Sequence, residues 1–89
     1  MISDRSIGRL SLYRRLLRDL QADGERNIFS HQLAAMAGGT AAQVRRDIMA
    51  IGYTGSPVRG YDVEQLLASI GQFLDASQTQ NVQVIVAAY

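Results

Sequence analysis

Thr40, Ala42, Gln43, Arg45, Arg46 and Met49 gather two guanidinium groups, a carboxamide, a hydroxyl and two apolar side chains on one short stretch of chain. A guanidinium fork donates paired hydrogen bonds to phosphate oxygens or to O6 and N7 of guanine, and a carboxamide matches the edge of adenine. Alanine and methionine can touch a thymine methyl group or simply permit close approach. The chemistry implied is recognition and not bond making. Turning 100° per residue from an inward stripe of Val44, Ile48 and Ile51 puts Ala42, Arg46 and Met49 on the far side of a helix. Gln43, Arg45 and Ala50 flank them, and Asp47 falls near the core edge, where an arginine of the first helix can pair with it. This places Arg46 at a base edge, with Gln43 next and Arg45 on phosphate. The free N–H groups after Thr40 suit a further phosphate, and Arg59, in the connection that follows, adds another candidate contact.

The segment that must position these residues is SHQLAAMAGGTAAQVRRDIMAI, Ser30 to Ile51. Ser30 caps a helix with Leu33, Ala34 and Ala37 inward, and Gly38-Gly39 ends it, one of the two taking a positive φ. Thr40 and Gln43 form a capping box that opens the second helix, which stops at Gly52. Two short helices around a glycine turn, the second basic outside, are the layout of a helix-turn-helix. Upstream, Leu10, Tyr13, Leu17 and Leu20 predict a helix to Ala22, capped by Ser6 or Asp4 and stopped by Asp23-Gly24. In a winged fold Asn27–Phe29 would supply a short strand pairing with the wing. YTGSPVRG, residues 53–60, cannot continue a helix and reads as a compact hairpin or an extended loop, anchored by Tyr53 or Tyr61. Asp62 and Gln65 cap a last helix to about Asp75, in which Gly71 suggests a close helix contact. Ser77–Gln80 reads as linker, and NVQVIVAAY as a nearly apolar strand.

Eighty-nine residues with 47% apolar content make one small folded domain. The absence of cysteine removes disulfides, thiolate zinc sites and cysteine nucleophiles. His31 has no second histidine to share a metal with, and reads as an exposed first-turn residue. Asp62, Ser30 and Thr40 have cap roles, and no glycine-rich phosphate loop stands between a strand and a helix. No enzyme is expected. Neither a signal peptide nor a stretch of 18 apolar residues is present, so the expectation is a cytoplasmic protein with no membrane partner. Net charge is only +1, but all nine basic side chains are arginine, five of them between Arg5 and Arg18.

RLSLYRRLLRDLQADG, SHQLAAMAGGTAAQVRRDI and GYTGSPVRGYDVEQLLASI, taken in order, resemble the amino-terminal domain of the Rex family, bacterial redox-sensing transcriptional repressors. The most specific elements are Arg9-Leu10 with Tyr13, the run Ala42 to Asp47, and Gly60-Tyr61-Asp62-Val63. The resemblance implies a winged helix that reads palindromic operators as a homodimer, with Arg45 and Arg46 on DNA and Gly52–Gly60 as the wing. It also implies a following Rossmann domain that binds NADH and NAD⁺, with NADH favouring release from DNA. Here Ala87-Ala88-Tyr89 stands where that domain's glycine-rich loop would begin. NAD(H) therefore enters only by resemblance, as the ligand of a following domain, and none of the residues here is assigned to a cofactor. The wing departs from the family pattern: Pro57-Val58 replaces an arginine-glycine pair, and Ala50 replaces an aromatic residue.

The expected architecture is mostly α, a winged helix-turn-helix with a short wing and a C-terminal extension reading as a strand. Residues 1–76 form the DNA-binding domain, and 77–89 a linker and terminal strand leading towards a following domain. The expected function is sequence-specific double-stranded DNA binding as a transcriptional repressor module, with 40–51 in the major groove. The competing reading is a winged-helix interaction or assembly module that uses the apolar tail and binds no DNA.

Overall fold

A computed structural model of the protein describes residues 2–87, with side chains described for residues 2–76. The elements run α1 (Asp4–Ala22), β1 (Asn27–Ile28), α2 (Ser30–Ala37), α3 (Ala41–Ala50), β2 (Tyr61–Asp62) and α4 (Val63–Ala87). The architecture is mostly helical with one small antiparallel sheet, as a winged helix-turn-helix requires. Helix α1 starts before its apolar stripe does. Neither Ser6 nor Asp4 caps it: Ser3 is the N-cap, its Oγ accepting the Ser6 N–H at 3.2 Å. Asp4 then lies in the first turn, where a carboxylate complements the helix dipole.

The four helices and the sheet close on one core. Leu10, Tyr13 and Leu17 come from α1, Leu33 and Ala34 from α2, and Val44 and Ile48 from α3. Val63, Leu66, Ile70 and Leu74 line the inner face of α4, and Ile28 and Tyr61 cap the core from the sheet. The sets of α1, α3 and α4 repeat at three- or four-residue steps, and in α2 partly buried Ala37 lies four and three residues after Leu33 and Ala34, so the packing follows the spacing of apolar residues in the chain. Between α2 and α3, Gly38 takes φ +77° and closes the turn by donating its N–H to the Ala34 carbonyl.

The sheet pairs Asn27 with Asp62 and Ile28 with Tyr61, and it is as short as a sheet can be. Gly60 makes the pairing possible. At φ +74° it sits so close to β1 that a Cβ there would lie 2.5 Å from the Ile28 carbonyl oxygen and 2.9 Å from the Phe29 ring. Gly71, by contrast, is not explained by a close helix contact. A Cβ there would meet only the Asp75 carboxylate, at 4.0 Å.

The C-terminal segment departs from expectation. Ser77–Gln80 is not a break and Asn81–Ala87 is not a strand, because α4 runs through both to Ala87; Ala88 and Tyr89 lie outside the described residues. A strand needs a partner edge for its N–H and C=O groups, whereas a helix satisfies its own. The two-residue strands of the described sheet pair with each other and not with this segment. Among the described residues no helix is long and apolar enough to cross a membrane.

Two substitutions test this account of the backbone. Gly60→Ala should lower unfolding stability by about 2 kcal/mol, from its positive φ and the clash with β1. Gly71→Ala should raise it by about 1 kcal/mol through helix propensity. Thermal melts of the two variants, moving in opposite directions from wild type, are the expected result.

Candidate nucleic-acid interface

Helix α3 is oriented by a carboxylate that it buries. Asp47 is 3% exposed, and four donors converge on it. Arg9 of α1 reaches it with both arms of its fork, Nε to Oδ2 at 2.7 Å and Nη2 to Oδ1 at 3.0 Å. The Tyr13 hydroxyl donates to Oδ2 at 2.7 Å, and Gln43 Nε2 to Oδ1 at 3.0 Å. Arg9 Nη2 also donates to Ser6 Oγ at 3.0 Å, which keeps the guanidinium flat against the helix. Burial alone would raise the Asp47 pKa, but the hydrogen bonds from Arg9, Tyr13 and Gln43 outweigh it and hold the carboxyl below its ordinary value. Burial, with the bond to Asp47, pushes the Tyr13 hydroxyl up, so it stays a donor. The expected pairing of Asp47 with a first-helix arginine is made by Arg9, while Arg14 turns to Asp75 at 3.2 Å.

With Val44 and Ile48 buried, the opposite side of α3 is free. Thr40, Ala42, Arg45, Arg46 and Met49 are all exposed. Thr40 is the N-cap, its Oγ1 accepting the Gln43 N–H at 3.2 Å. The reciprocal arm of the expected capping box is not made, because the Gln43 carboxamide goes to Asp47 instead. Arg46 has no hydrogen bond or ion pair among the described residues. Arg45 does: its Nη1 donates to Ser30 Oγ at 3.1 Å, tying it back to the start of α2. Ser30 is therefore not the cap of α2. Phe29 occupies that position, its N–H satisfied by Gln32 Oε1 at 2.9 Å, and its exposed ring stacks on His31 at 5.8 Å.

The wing is a tight hairpin. Ser56 and Gly60 exchange both backbone hydrogen bonds, at 2.8 and 2.7 Å. Ser56 Oγ accepts the N–H groups of Val58 and Arg59 at 3.1 and 3.2 Å, which folds Pro57, Val58 and Arg59 into the tip. Val58 is 82% exposed there. Both candidate anchors serve: Tyr61 is buried, and Tyr53 packs against it with ring centroids 6.1 Å apart. Tyr53 also donates to Gln65 Oε1 and accepts the Asp62 N–H, each at 3.4 Å. Asp62 caps α4 as expected, taking the Gln65 N–H at 2.8 Å.

Between α3 and the wing runs an open cleft of ≈ 360 Å³, with Arg45 and Met49 on one wall and Tyr53 and Pro57 on the other. Arg59 does not line it. It faces a second, more polar cleft with Arg26, which no residue of α3 reaches. The sequence-predicted residues are thus one group of six on or at the start of α3, plus Arg59 standing apart on the wing. Sequence reasoning missed Ser30 as the support for Arg45 and Gln43 as a ligand of Asp47. The glutamine four residues before an aspartate on one helix was the available signal.

The described residues do not fit a dinucleotide. Their glycines lie in turns, in the hairpin or, as Gly8 and Gly71, inside helices, and none opens a helix after a strand. No three His, Asp or Glu side chains among them gather as a metal site.

Comparison with known proteins agrees with this geometry. Residues 1–48 match the family model described as "Putative DNA-binding protein N-terminus". The redox-sensing transcriptional repressor Rex of Rhodopirellula baltica is 45% identical over 73 residues, covering 82% of this chain and 31% of the relative. The Rex of Syntrophomonas wolfei is 36% identical over 86 residues, 97% of this chain and 41% of the relative. The chain therefore spans about two fifths or less of these relatives' length. Among solved structures, a Rex-family repressor superposes with a TM-score of 0.75 at 33% identity, over 84% of this chain and 34% of that one. The same repressor bound to NAD⁺ and operator DNA gives 0.78 at 34% identity, over 83% and 34%.

The Asp47 site sets a pH dependence. A carboxyl whose folded pKa lies below its unfolded value of about 4 contributes stability above that pH, and loses it as pH falls through the folded value. Asp47→Asn should cost about 2 kcal/mol at neutral pH, since whichever oxygen becomes an amide nitrogen no longer accepts the two donors that faced it. It should also flatten the acid limb of the stability curve below about pH 4. Chemical denaturation across that range, with an acid limb identical to wild type, would contradict the buried carboxylate.

Proposed function

The chain belongs to this family of DNA-binding protein amino-terminal domains, in the form carried by Rex-type repressors, and we propose that it binds double-stranded DNA sequence-specifically as the reading module of a transcriptional repressor. The observation that carries the proposal is Arg46. It stands exposed on the side of α3 opposite Val44 and Ile48, unpaired among the described residues, on a helix that Asp47 clamps to α1. A guanidinium left free on a rigid helix is suited to a bidentate contact with guanine.

The neighbouring roles follow from what each side chain already does. Arg45, tethered to Ser30, is directed to a backbone phosphate and not a base. The N–H groups after Thr40 take a second phosphate. Ala42 and Met49 lie against thymine methyl groups or allow close approach. Arg59, with Arg26 beside its cleft, meets phosphate from the wing. An arginine inserted from the wing would suit a narrow, negative minor groove; Pro57 and Val58 carry no charge and Arg59 lines the cleft that Arg26 shares, so the operator preferred here differs at the positions under the wing. The same proposal includes a cytoplasmic homodimer on a palindromic operator, with half-sites near 34–36 Å apart or a multiple of that. Support comes from the relatives, which are redox-sensing transcriptional repressors, and from the operator-bound repressor of 34% identity.

Binding to a selected duplex should weaken steeply as salt rises. Arg46→Ala should cost about 1–3 kcal/mol and relax discrimination at one base pair per half-site, and Arg45→Ala should weaken all sequences alike and reduce the salt slope by about 1. Titrations at two salt concentrations in which neither variant differs from wild type would rule out α3 as the reading helix.

A further inference from the structure

Gln43 is held by a group it cannot turn away from. Its Nε2 donates to Asp47 Oδ1 at 3.0 Å. Asp47 is buried and already takes three other donors, so its carboxylate is ionised and can only accept. Turning the carboxamide over would set Oε1 against that carboxylate, two acceptors in contact with no proton between them. The nitrogen therefore stays inward. Oε1 then has no donor among the described residues, yet no buried side-chain oxygen or nitrogen there lacks a partner. It follows that Oε1 is open to solvent. Gln43 flanks the exposed surface of α3, one residue after Ala42 and one helical turn before Arg46.

We propose that Gln43 is a specificity-determining residue whose Oε1, fixed outward by Asp47, selects a base with an exocyclic amine at one position of each half-site. In the major groove that means cytosine N4 or adenine N6 on the contacted strand, against guanine O6 and thymine O4, which offer only acceptors. Asp47 acts through Gln43 as a positioning residue. It removes the alternative amide orientation that would accept guanine or thymine. The inference rests on the DNA-reading function proposed above and names part of its specificity.

The test is a selection from random duplexes with the whole chain, repeated with Gln43→Met and Asp47→Asn. Wild type should enrich cytosine or adenine at one position per half-site by about fivefold or more. Gln43→Met should be indifferent at that position while keeping its preferences elsewhere and its salt dependence. Asp47→Asn, assayed below its melting temperature, should accept guanine or thymine there as well. A second arm needs no variant: replacing the selected adenine by purine, or the selected cytosine by its analogue lacking the N4 amine, should weaken wild type by the same factor. A wild type that selects a site whose base identities survive Gln43→Met unchanged, or that tolerates loss of the amine, overturns the role of Gln43. An Asp47→Asn chain with wild-type selection overturns the fixed orientation. A wild type that enriches no duplex at all removes the DNA-reading function, and this inference with it.

Discussion

Asp47 sits on the inner edge of α3, where a charge can persist only if its lone pairs find donors. Each of its oxygens has two: Arg9 Nε and the Tyr13 hydroxyl on Oδ2, Arg9 Nη2 and Gln43 Nε2 on Oδ1. The bidentate fork is directional in a way that apolar packing is not, so it fixes the rotation and register of α3 against α1. Val44 and Ile48 could be buried by a helix rolled several degrees either way. The carboxylate could not keep its four bonds under the same roll. The direction in which Arg46 projects is therefore set from inside the domain.

The wing is held by a different means. Two residue pairs of sheet are too few to stabilise a hairpin by themselves, and the anchoring falls to Tyr61, Tyr53 and the close approach of Gly60 to Ile28. Gly55 is equally constrained, since a Cβ there would meet the Tyr61 ring at 2.6 Å. The result is a rigid base carrying a tip of two apolar residues, Pro57 and Val58, beside Arg59. Arg45 and Met49 face the wing across an open cleft, and Arg59 faces away from it. Arg45 and Arg59 thus present charge on two separate sides of the wing.

Much of this was legible in the residues. Leu10, Tyr13 and Leu17, Leu33 and Ala34, Val44 and Ile48 announce their helices and inner faces by spacing alone, because helical period and burial are local facts. What escaped were choices between partners. Ser3 and Ser30 both stand at a helix start, yet Ser3 caps α1 while Ser30, the first residue of α2, supports Arg45, fifteen residues on. Thr40 and Gln43 fit a capping box, but a buried carboxylate competes for the glutamine and wins, since an unmet lone pair in the core costs more than an open N–H at an exposed helix start. The terminal run of alternating valines carries a strand pattern, and its backbone forms helix through Ala87, where hydrogen bonds require no neighbour.

By itself, then, the sequence determined the number of helices, their inward stripes, a glycine turn at Gly38-Gly39, a non-helical connection after Gly52 and the set of exposed basic residues, because each depends on neighbours a few positions away. Tertiary structure decided which arginine is free and which is tied, which face of Gln43 looks outward, and which side of the wing carries Arg59. The outward face of Gln43 hangs on Asp47 meeting Arg9 and Tyr13 across more than thirty residues of chain, the tie of Arg45 on Ser30 fifteen residues back, and the side of Arg59 on the hairpin around Ser56 and Gly60; no local pattern encodes which partners such groups will recruit.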